Sequence, residues 1–298
     1  MKPSQAGGNN MDGKQDAGPD EPETKNITAD EIATLNAMET SSLKSITFLS
    51  AVHIHSAVFF CKKLLRIETP YFEGTKDPSQ ALLKAHQSYA IGSIFAAVAF
   101  VEALINEIFL DAIFRQEGED FSIVKPLDAK IVESMVDCWK RGLRLDKFDR
   151  GALKSYWRYE KYSKKHCKNL PVNDWYTLDK YQCALVLSGK NTFDSNAAPL
   201  QDLYVARELR NALVHYKPEW ITSNSSAKLS RSEKRRTNKL EEKLNNIGFR
   251  KNALLPINPF PERYLGWGCS RWAIRASLSF ASEFSERMGI SLPYVHSV

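Results

Sequence analysis

At 298 residues the chain is long enough to bury one large core or two ordinary ones, and 43% hydrophobic and 11% aromatic residues exclude a disordered or fibrous class. The net charge of +6 permits an anionic partner such as nucleic acid without requiring one. Five scattered cysteines with no CxxC pair exclude a disulfide scaffold and point to reduced thiols in a cytoplasmic protein, and the N-terminus lacks the apolar stretch of a signal peptide.

Residues 1–27 are rich in Gly, Asn, Asp, Pro and Lys and nearly devoid of large apolar side chains. They bury too little to offset the entropy of ordering, so a disordered tail is expected, followed by one helical domain over 28–298. Thr28-Ala29-Asp30-Glu31 has the form of a capping box and predicts a helix over about 29–40. The dense apolar pattern from Ser45 to Ile67 predicts a core helix, and residues 70–78, bounded by prolines, a connection. Ser79 to Arg115 reads as one long helix, the most apolar of the chain. Its longest apolar run, Ala90 to Ile105, is interrupted by Glu102 and is shorter than the roughly 20 residues of a membrane span. A buried helix is expected, and no membrane segment.

A shorter helix is predicted over Ala129–Trp139. Leu153 to Lys168 interleaves Tyr and Trp with Lys, and Asp179–Ser188 suits a short helix better than a strand. Ser195 or Asn196 is placed to cap the next helix, with Pro199 in its first turn and Pro218 disfavouring continuation past about Tyr216. Residues 222–251 form a basic insertion, with a second capping box at Ser230-Arg231-Ser232-Glu233. Pro256, Pro259 and Pro261 mark a loop, and Ser270–Met288 a closing amphipathic helix. Without repeats or sustained strand periodicity, the class is all-α.

The chemistry concentrates in Arg210-Asn211-Ala212-Leu213-Val214-His215. At about 100° per residue, Val205, Ala206, Leu209, Leu213 and Tyr216 fall on one side of a helix. Arg207, Glu208, Arg210, Asn211 and His215 fall on the other. Asn211 and His215, four apart, are neighbours, and Arg210 reaches them through its length. Arginine offers a planar fork of donors to phosphate oxygens, and histidine moves a proton near neutral pH. With 16 Arg, 16 Asn and 6 His in the chain, chance supplies Arg-x4-His about 0.3 times but Arg-Asn-x3-His only about 0.02 times. The bland alternative is a polar helix face whose Asn and His bond to the next turn.

The segment Glu208-Leu209-Arg210-Asn211-Ala212-Leu213-Val214-His215-Tyr216-Lys217-Pro218 closely resembles the signature of HEPN (higher eukaryotes and prokaryotes nucleotide-binding) domains: Arg, four to six residues, then His, with Asn after the Arg. The long apolar helix carrying Ala99 to Glu107, ahead of the motif helix and a closing helix, is similar to that family too. The resemblance covers about residues 45–288. It implies an all-α HEPN-like bundle, often a homodimer whose two motifs face one cleft. It also implies a metal-independent endoribonuclease of a defence, toxin–antitoxin or stress system, with RNA as substrate and an antitoxin or defence protein as possible partner. Arg210, Asn211 and His215 would then be the catalytic set. Other members of the family bind a nucleotide, RNA or protein without catalysis.

Glu102 and Asn106, four apart on the most apolar helix, need partners there. They read either as an inter-helix hydrogen bond or as support for Arg210. Lys234, Arg235 and Arg236 in the basic insertion read as a solvated face or as an RNA phosphate contact. The 153–168 stretch suits aromatic core positions better than a single-strand platform. His53 and His55, two apart, do not share a helix face, and no carboxylate or cysteine set completes a metal site. No Walker loop, GxGxxG or nucleophile elbow is present, so no cofactor is expected.

Overall fold

The computed structural model describes residues 48–72, 77–119, 123–141, 177–216 and 231–292. The expected tail, the 29–40 helix, the 153–168 stretch and part of the basic insertion lie outside them. The described residues form seven α-helices and no strand. In chain order these are α1 (Leu49–Glu68), α2 (Gln80–Gln116), α3 (Ala129–Arg141), α4 (Thr177–Leu187), α5 (Leu200–Val214), α6 (Arg231–Ile247) and α7 (Trp267–Met288). The all-α class read from the sequence is what the structure shows.

Helix α2 is the axis of the fold. Its 37 residues span about 55 Å, and Ser79 opens it by accepting the Leu82 N–H at 3.3 Å. By length and composition it could cross a membrane, and most of its apolar window is buried inside this bundle. Helices α1, α3, α5 and α7 pack against it, with α4 wedged between α2, α3 and α7. Gly92 lets α1 come close: a Cβ there would stand 3.1 Å from the Phe60 ring. Tyr181 of α4 donates its hydroxyl to the Val101 carbonyl of α2 at 2.8 Å and meets Phe280 and Phe284 of α7 edge-on. That satisfies the polar tip of a buried aromatic ring.

Polar residues on the second half of α2 tie it to its neighbours. Glu107 accepts the Ser50 N–H at 2.8 Å and also takes its hydroxyl, closing the open first turn of α1. Asp111 accepts the Val124 N–H at 2.8 Å, and Arg115 donates to the Val124 and Leu127 carbonyls at 2.6 and 2.9 Å. Glu102 and Asn106 reach α5 and α4, as described below.

Two elements, α5 at both ends and α7 at its start, depart from the sequence expectation. Ser195 and Asn196 do not cap α5. Asp194 instead accepts the Asn196 N–H on its carboxylate at 2.9 Å and the Ala197 N–H on its carbonyl at 3.3 Å, making a separate turn. Pro199 is then the N-cap, one position before the first turn. At the other end α5 stops at Val214, so Tyr216 lies exposed rather than on the packed face. Helix α7 begins a turn early, at Trp267, because the buried Glu68 carboxylate accepts the Trp267 N–H at 2.6 Å. It ends at Gly289, whose φ of +70° lets the Gly289 and Ile290 amides bond back to Glu286 and Ser285.

Candidate functional site

The motif occupies the last turn of α5. Val205, Ala206 and Leu209 are buried and fix the rotation of the helix, which turns Arg210, Asn211 and His215 away from the core. His215 is the C-cap residue, its N–H donating to the Asn211 carbonyl at 3.0 Å. Asn211 and His215 are both exposed. Among the described residues neither side chain has a hydrogen-bond partner, so both are available to a ligand.

Arg210 is held differently. One end of its guanidinium forms a short ion pair with Glu102 of α2, the two side chains being 25% and 32% exposed. Its Nε is buried without a partner among the described residues. With both side chains mostly buried, the pair is screened less than a surface salt bridge and orients the guanidinium more firmly. The two sequence readings of Glu102 thus coincide: the inter-helix hydrogen bond is the contact to Arg210.

Asn106, one turn along from Glu102, goes elsewhere. Its Oδ1 accepts from Lys180 Nζ of α4 at 2.8 Å. Lys180 is buried, and its ammonium lies 5.2 Å from the centre of the Trp139 ring. The structure therefore brings Glu102 to the motif and places Asn106 in an adjoining contact between α2 and α4. Lys180 was missed in sequence because one Lys on a short helix carries no signal of burial. Lys234, Arg235 and Arg236 lie on α6, with side chains outside the described set.

The neighbouring face of α5 carries a second group. Glu208 accepts from Lys243 of α6 at 2.7 Å, joining the two helices. Arg207 and Lys243 each lie 5.4 Å from the centre of the Tyr204 ring. Among the described residues no three His, Cys, Asp or Glu side chains are grouped as metal ligands would be.

Comparison with protein-family models, curated proteins and solved structures finds no match to this chain. The functional reading accordingly rests on the residues and their geometry.

Proposed function

We propose that the protein is an endoribonuclease of HEPN type that cleaves RNA without a metal, leaving 2′,3′-cyclic phosphate and 5′-OH ends. The observation that carries the reading is the division of the motif. Arg210 is fixed by Glu102, while among the described residues Asn211 and His215 stand unpartnered and exposed.

In the reaction the ribose 2′-oxygen attacks the adjacent phosphorus. The 2′-O–P bond forms, the P–O5′ bond breaks, the 2′-OH proton passes to a base, and the leaving 5′-oxygen takes a proton from an acid. His215 serves as one of these two groups. Arg210, pre-oriented by Glu102, stabilises charge on the non-bridging oxygens. Asn211 orients the imidazole or the strand. One chain brings one such histidine, so a homodimer with two motifs facing one cleft supplies base and acid together. A cytoplasmic defence, toxin–antitoxin or stress system is the setting that suits such an activity, with an antitoxin or defence protein as possible partner.

A second reading also has an observation in its favour. The Glu102 carboxylate already offsets the Arg210 charge, as it would in a HEPN-like module that binds a nucleotide, RNA or protein without cutting. Incubating the purified protein and its His215→Ala variant with RNA in EDTA separates the two. Cleavage by the parent alone supports the nuclease. Equal cleavage by both, or by neither, removes it.

A further inference from the structure

We infer that the motif face continues as a binding track for single-stranded RNA along α5 and onto α6, with Arg207 and Lys243 contacting backbone phosphates and the Tyr204 ring steadying both cations. The inference rests on the endoribonuclease reading above and adds where the strand lies outside the reacting phosphate.

Three side chains of α5 and that of its C-cap, His215, define the track. With about 100° between successive residues, Tyr204, Arg207, Asn211 and His215 fall within one sector of less than a quarter turn. Tyr204 and His215 are separated by about 16 Å along the axis. Groups in one line at this length suit an extended strand. Recognition of a duplex would call for contacts across successive grooves.

The charges along the line are unequal. Lys243 is balanced by Glu208 at 2.7 Å, and Arg210 by Glu102. Arg207 has no carboxylate partner among the described residues, and its one described contact is the Tyr204 ring. A guanidinium laid against an aromatic ring keeps its N–H edge free, and that planar edge matches two phosphate oxygens. Lys243 lies at the same 5.4 Å from the Tyr204 ring centre and brings in α6, where Lys239, four residues away, is exposed. Among the described residues Arg207 is thus a cation of this face with no carboxylate partner, whereas Arg210 is committed to the motif.

Binding is measured on the cleavage-blocked His215→Ala protein by fluorescence anisotropy. The probes are labelled oligo(U) and oligo(A) RNA, with duplex RNA in parallel, across a salt series. Adding Arg207→Gln should weaken single-strand binding about tenfold. It should also make the slope of log affinity against log salt shallower by about 0.7, the share of one phosphate contact. Lys243→Gln should act in the same direction. Tyr204→Leu, which removes the ring, should weaken binding more than Tyr204→Phe, which keeps it. Circular dichroism melting confirms that each variant is folded, and Arg207→Gln decides alone should Tyr204→Leu unfold. Tight RNA binding unchanged in affinity and slope by Arg207→Gln overturns the track and leaves the nuclease reading in place. Preference for duplex RNA also overturns it. Absence of RNA binding and of cleavage in the unsubstituted protein overturns both.

Discussion

Arg210 and Glu102 form the contact on which the motif turns. Glu102 sits in the most apolar run of the chain, where a carboxylate persists only with a partner, and Arg210 is that partner. Removing it leaves a partly buried guanidinium with its Nε already unspent. Glu102→Ala should therefore cost about 1–2 kcal/mol in urea unfolding, less than a fully buried pair because both side chains keep some exposure. Glu102→Gln keeps an acceptor and should cost less. In cleavage, Arg210→Lys should lose about a hundredfold, because an ammonium cannot present the paired donors of a guanidinium. Equal stability of Glu102→Ala and its parent would show that the ion pair holds nothing.

At the level of elements, packing is decided at one tight junction. The first turn of α7 passes the loop at 250–252 with no space for a side chain. A Cβ on Gly268 would stand 2.1 Å from the Arg250 carbonyl oxygen, and one on Gly266 2.7 Å from a Glu68 oxygen and 2.9 Å from the Asn252 Cα. Beneath them Glu68 and His86, both fully buried, are joined at 2.8 Å, linking α1, α2 and α7. Gly268→Ala should cost at least about 3 kcal/mol, since backbone on both sides must move. A melting temperature equal to that of the parent would contradict this packing.

How far the elements were legible depended on where their ends are set. Helix α2 was readable almost residue by residue, because apolar side chains dominate it over many turns despite the interruption at Glu102. The polar side of α5 was readable from spacing: Asn211 and His215, expected together on the polar face, are both exposed. The start of α5 was not, because Asp194 outcompetes Ser195 and Asn196 for the local amides. The early start of α7 was hidden as well. Its first amide is satisfied by Glu68, 199 positions away in sequence, and no local pattern reports such a partner. The same holds for Arg207, Tyr204 and Lys243: two are on one helix, but the third arrives from α6 only through tertiary packing.

Over the whole molecule, the described cysteines behave as core residues. Burial pushes the Cys61 thiol from its ordinary 9.0 up to about 11, with Arg271 opposing and Glu68 adding. Burial likewise raises Cys269, and burial followed by the hydrogen bond to Cys138 raises Cys183. The unfolded thiols ionise first as pH rises. Their contribution to stability is therefore complete below pH 9 and is lost as pH climbs through about 11 and beyond. The urea midpoint should fall between pH 8 and 10, and it should fall less in Cys269→Ala than in the parent. Thiol reagents should label Cys61, Cys183 and Cys269 only on unfolding, and rapid labelling of the native protein would place these thiols outside the core.

The bundle thus assembles its motif from three helices: α5 supplies Arg210, Asn211 and His215, α2 supplies Glu102, and α4 braces α2 through Lys180 and Asn106. The most direct measurement of what this motif does is the chemistry of the RNA ends. Products formed in EDTA are analysed by mass spectrometry for the protein and for His215→Ala. A metal-free transfer to the 2′-oxygen predicts 2′,3′-cyclic phosphate and 5′-OH ends from the parent and no such ends from the variant. Ends bearing 3′-OH and 5′-phosphate, or cyclic phosphate formed equally by His215→Ala, would contradict it.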